Sequence, residues 1–117
     1  MDRSLTGLVA AHDNHFEYNT VAAVWVKNAR NVALSHNVMY GPGANDIIVN
    51  GTGTDVQIDG NQLNNGLVVG AGVARVIYDN NHQLGRPPQI DPSIETRVCG
   101  RNNTNDSGEV VWERQCR

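Results

Sequence analysis

Aromatic residues are scarce: two Trp, three Tyr and one Phe, 5% of a 117-residue chain. A core must therefore be filled by Val, Ile and Leu, and 39% hydrophobic content suffices for one domain of this length. Basic charge is also in deficit. The formal net charge is -3 and the nine Lys and Arg form no stripe, which argues against nucleic acid as a partner. No apolar run approaches the ~18 residues of a membrane span. Met1-Asp2-Arg3-Ser4 does not read as a signal peptide, since no basic stretch leads into an apolar one. Localisation stays open: intracellular, or extracellular if the chain is part of a longer protein. Cysteine occurs only at Cys99 and Cys116. A bridge between them would close a loop worth roughly 3 kcal/mol, and two free thiols are the alternative. No long helical pattern is present.

Asn, Gly and Val are abundant instead, and they repeat. The pattern Val, any residue, apolar, two residues, Asn begins at Val9, Val32, Val56 and Val76, at intervals of 23, 24 and 20 residues. A period of 20–24 residues points to a solenoid. A second short strand precedes the later copies: Val24-Trp25-Val26, Ile47-Ile48-Val49 and Leu67-Val68-Val69, each followed by a polar or Gly-rich bend. Each unit is strand, bend, strand, corner, with no room for a helix. It buries its apolar face only by stacking on its neighbours. Alternation predicts an inward set of Val9, Ala11, Phe16, Val24, Val26, Val32, Leu34, Met39, Ile47, Val49, Val56, Ile58, Leu63, Leu67, Val69, Val76 and Tyr78. Asn14, Asn37, Asn61 and Asn81 stack at a corner, where Asn tolerates left-handed backbone. Their amides are expected to form a ladder from coil to coil.

The pattern Val-x-Ile-x-x-Asn-x-apolar, preceded by a Gly-Leu-Val-Val strand, resembles the right-handed parallel β-helix of the pectate-lyase-like superfamily. Asn61 to Val69 carries the likeness best, and it covers roughly residues 5 to 86. A left-handed hexapeptide helix is the rival, but no six-residue apolar repeat is visible. The expected fold is all-β: a single-stranded right-handed parallel β-helix of about four coils over residues 1–86. Residues 87–117 form a C-terminal cap or tail, because Pro87 and Pro88 cannot sit in a central ladder. Arg97–Gly100 and Glu109–Trp112 are the cap's expected strands. The first coil starts almost at once, which leaves its strand edges open. Either the chain is the C-terminal piece of a longer β-helix, or another copy covers that end.

Outward positions also stack. One column reads His12, Ser35, Asp59, Asp79, and the next reads Asp13, His36, Gly60, Asn80. The resemblance implies polysaccharide chemistry on an outer sheet, where acids and basic residues bind calcium, abstract a sugar proton or hydrolyse a glycosidic bond. By residue type Asp59 and Asp79 are the candidate acids, and His36 or His12 the candidate base. No catalytic motif of the lyases, polygalacturonases or alginate epimerases matches residue by residue. Solvated acids on an exposed sheet are the plainer account. His12 and His15 point to opposite sides of a strand, so no metal site is expected, and calcium is the only cofactor the resemblance brings. A third column, Trp25, Ile48 and Val68, places apolar residues outside as a patch. It reads as a self-association face, as in trimeric β-helices of phage tail spikes and surface fibres. Trp25 with Tyr40 is alternatively a platform for a sugar ring. The long loops Glu17–Ala23 and Tyr40–Asp46 are further places for function. Asn-x-Ser/Thr at Asn50, Asn102 and Asn105 is what an Asn-rich chain gives by chance. The expected function is a non-catalytic structural or binding module, a homo-oligomer with polysaccharide as the other possible partner. It would suit the end of a longer carbohydrate-associated or fibre protein. A polysaccharide-active enzyme is the alternative.

Overall fold

The computed structural model describes residues 9–12, 15–17, 24–40, 45–84 and 87–115. In chain order the strands are β1 (Val9–His12), β2 (His15–Glu17), β3 (Val24–Lys27), β4 (Val32–Ser35), β5 (Val38–Tyr40), β6 (Ile47–Asn50) and β7 (Asp55–Asp59). β8 (Gln62–Leu63), β9 (Leu67–Val69), β10 (Arg75–Asp79), β11 (His82–Gln83) and β12 (Gln89–Ile90) follow. A 3₁₀ segment, Pro92–Arg97, leads into β13 (Val98–Thr104) and β14 (Val110–Arg114). Every pairing is parallel except β13 with β14. The chain is a parallel β-solenoid of about three turns. β3-β6-β9-β12 make the first face, β1-β4-β7-β10-β13 the second, and β2-β5-β8-β11 the third, which the end of β13 continues.

The register is the one the repeat dictates. Val9, Val32, Val56 and Val76 stack directly on one another. All predicted inward residues from Val24 to Tyr78 are buried in one cluster. The side chains of Val9, Ala11 and Phe16 lie outside the described residues. Gln83 takes the inward position that Leu63 and Met39 hold one and two coils earlier. It is buried there because the Tyr78 hydroxyl donates to its Oε1 at 2.6 Å. Burial pushes the Tyr78 phenol far above its ordinary value, and the Asp46 carboxylate adds to the shift.

The asparagines bond along the stack. Asn37 donates to Asn61 Oδ1 from both its backbone N–H (2.9 Å) and its Nδ2 (3.0 Å). Asn61 does the same to Asn81, and Asn81 to Asn103. Each Nδ2 also caps a carbonyl one coil back: Leu34 from Asn61, Ile58 from Asn81 and Tyr78 from Asn103. Asn14 lies outside the described residues. The ladder Asn does not itself take the left-handed conformation expected at the corner. The left-handed residue is the one before it: His36, Gly60, Asn80 and Asn102, with φ of 55°, 70°, 56° and 58°. The sharp turn is placed there, and the ladder amide is directed inward, where buried backbone needs partners.

The coils do not stop at residue 86. β12 pairs with β9, and β13 stacks Val98 on Val76 and Cys99 on Ile77. Pro87 and Pro88 precede an edge strand, where a missing N–H costs no ladder bond. Val98 to Asn103 is thus a fifth copy of the motif with Gly100 in place of the apolar residue. A Cβ at Gly100 would fall 1.8 Å from the Tyr78 carbonyl oxygen and 2.8 Å from the Trp112 ring. Backbone and ring fill that space instead, and Trp112 meets Tyr78 edge-on at 5.9 Å. The cap is the hairpin of β13 and β14 folded across the last coil. Cys99 is disulfide-bonded, and Cys116, the other cysteine of the chain, lies outside the described residues.

Candidate functional site

Two surfaces emerge from this stacking. The first is the downstream edge of the second face. Ser35, Asp59 and Asp79 align on β4, β7 and β10 in register. Strands in a sheet lie about 4.8 Å apart, so the two carboxylates are near neighbours. Each is served by a neutral donor rather than a shared cation or basic side chain. Asn80 Nδ2 donates to Asp59 Oδ1 at 3.0 Å. The backbone N–H of Arg101 donates to Asp79 Oδ1 at 3.0 Å. Asn102 Nδ2 in turn donates to Asn80 Oδ1 at 3.3 Å, so the corner carries a second, external amide ladder. The His36 imidazole overlies Gly60: a Cβ built there would come 2.7 Å from Nδ1. His36, Asp59 and Asp79 therefore occupy one strip, but the hydrogen bonds of the two acids lock corners.

Asp79 opens into a cavity. The cap hairpin stands against the second face and leaves a cleft of about 530 Å³, lined by Ile77, Asp79, Gly100, Arg101, Glu113, Arg114 and Gln115. Ile77 is its apolar floor. Glu113 Oε1 accepts from the backbone N–H of Asn102 at 3.1 Å. Arg114 donates to the Glu95 carbonyl at 3.0 Å, and its guanidinium lies 5.8 Å from the Trp112 ring. The cleft thus mixes both charge signs. Sequence reasoning missed it, because β14 was expected only as cover. At the other edge of this face Arg75 pairs with Asp55 at 3.1 Å.

The second surface is the outside of the first face. Trp25, Ile48 and Val68 stand in register on β3, β6 and β9, and Gln89 continues the column on β12. Trp25 is 42% exposed. Its indole N–H donates to Asn50 Oδ1 at 3.0 Å, and Lys27 Nζ lies 6.0 Å from the ring centroid. β14 pairs with β13, and β12 joins this face as its edge strand. Tyr40 ends β5 beside Glu17, and its side chain, like that of His12, lies outside the described residues. So do most of the two long loops. Among the described residues, no three His, Cys, Asp or Glu side chains group as a metal site. Among the described residues, no helix is long and apolar enough to cross a membrane.

A buried acid also escaped the sequence reading. Asp46 enters β6 and its Oδ2 accepts the backbone N–H groups of Asn65 and Gly66. It closes the corner between the third and first faces. Its only sequence signal is an Asp just before an apolar strand. No family model matches the chain, and neither the curated proteins nor the solved structures compared with it give a match.

Proposed function

We propose that the chain is a non-catalytic structural and binding solenoid module that self-associates through its first face. The supporting observation is the Trp25–Ile48–Val68 row. It is outward and in register, with Ile48 and Val68 half-buried and the exposed Trp25 held in place by its hydrogen bond to Asn50. Preordering lowers the entropy lost on association. The Lys27 ammonium beside the indole competes with a sugar ring for that surface, which favours a protein partner over a stacking platform. The disulfide at Cys99 suits an oxidising compartment and hence a surface or secreted protein. The likeness to the pectate-lyase-like superfamily belongs to this reading as a statement about architecture.

Sedimentation of the full chain is expected to show a concentration-dependent oligomer, and Trp25→Ala to weaken it at least tenfold. A monomer unaffected by concentration would sink the reading. The second reading is a polysaccharide-active enzyme, and the cleft beside Asp79 favours it. It requires release of unsaturated or reducing ends from pectate, alginate or related polymers, and loss of that release in Asp79→Asn.

A further inference from the structure

The first face carries more information than its apolar row. Beside that row runs a second outward column: Lys27, Asn50, Gly70 and Asp91. Lys27 pairs with Asn50 in register. A Cβ on Gly70 would lie 3.1 Å from that of Asn50, and Gly70 donates to the Val49 carbonyl. Asp91 follows β12 and donates to the Val69 carbonyl, which places it one strand beyond Gly70. The column therefore begins with a cation and ends with an anion, three strand spacings or about 14 Å away. Over β3, β6 and β9 both columns narrow, and Gln89 and Asp91 widen them again at β12. Trp25, Ile48 and Val68 shrink along one, and Lys27, Asn50 and Gly70 along the other.

Resting on the reading of this face as a contact surface, we infer that its partner is a second copy of the chain, docked with its stack reversed about a two-fold axis along the strands. In that arrangement Trp25 faces Gln89, Ile48 faces Val68, Asn50 faces Gly70 and Lys27 faces Asp91, each twice by symmetry. Such an isologous contact is self-complementary in charge. Side-by-side packing with stacks parallel, as in a three-fold fibre, sets bulk against bulk and Lys27 level with Lys27. Asp91 is suited to the role. Hydrogen bonds from the Ser93 hydroxyl and backbone N–H hold its carboxyl below the ordinary value, so it stays charged.

The test is sedimentation of the full chain over a concentration series up to about 1 mM, with circular dichroism to confirm folding. Lys27→Asp and Asp91→Lys are each expected to weaken association roughly tenfold by making both symmetric pairs repulsive. The exchange of both is expected to restore it to within a few-fold of the original chain. Asp91→Asn keeps the acceptor for Ser93 and removes the charge, and it is expected to weaken association without touching the fold. If Trp25→Ala abolishes association but the double exchange restores nothing, the face is the contact and the reversed orientation is wrong. If the chain stays monomeric throughout, or Trp25→Ala changes nothing, the contact surface itself is wrong and the orientation falls with it.

Discussion

Asn61 bonds in two directions along the stack. Its Nδ2 reaches the Leu34 carbonyl one coil back and Asn81 Oδ1 one coil on, while its Oδ1 accepts twice from Asn37. Replacement by Leu fills a similar volume but removes the partner that Asn61 gives the Asn37 backbone N–H and the Leu34 carbonyl in a buried site. Each such loss costs about 1–3 kcal/mol, so Asn61→Leu is expected to lose about 3 kcal/mol in urea unfolding despite being more apolar. A loss under about 1 kcal/mol would show that the ladder is incidental. Tyr78 gives a pH-dependent counterpart. Its folded value is raised, so the unfolded chain ionises first, and the stabilisation is whole below the ordinary value of 10.0 and declines above it. Stability is expected to fall with pH above about 10 more steeply in the original chain than in Tyr78→Phe, as read by denaturant titration at a series of pH values.

Among the elements, β13 departs most from its predecessors. It stacks on β10 for two residues, then lets Gly100 press against the Tyr78 backbone so that Trp112 can reach the end of the core. The obstacle to a side chain is main chain, which cannot swing away. Gly100→Ala is expected to cost about 2–4 kcal/mol and to expose Trp112, seen as a red shift in fluorescence. Gly108 provides the control. Its φ is 77° but nothing lies within 4 Å of a Cβ there, so Gly108→Ala meets only local backbone strain of about 1–2 kcal/mol. Equal losses from the two would contradict the packing account. The same glycine explains why the last coil was hard to read. Val98 and Asn103 keep the motif's spacing, but the apolar residue between them is missing, and two prolines upstream read as a stop. Their edge position removes that objection, and edge status is a property of the sheet rather than of the dipeptide.

For the whole molecule, what was legible followed from period and alternation. The stacking of the four valines, the inward set, the asparagine ladder and the Trp25–Ile48–Val68 row all depend on residue type at a fixed interval. What was not legible depended on contacts made once. Asp46 closes a single corner, the cleft exists because one hairpin leans on one face, and the left-handed position alternates among His, Gly and Asn, so no single letter marks it. Of the candidate acids, sequence spacing gave the neighbourhood of Asp59 and Asp79 but not their donors, which come from the following coil.

The ladder has one more consequence. Because Asn61 and Asn81 each bond to the coil before and the coil after, a strand shifted by a single residue would lose several hydrogen bonds at once rather than a fraction of one. The interior of Val, Ile and Leu is tolerant of such slips, since one branched aliphatic fills another's place tolerably well. The asparagines are not. They act as a checksum on alignment, discarding misregistered stacks that the greasy interior would accept.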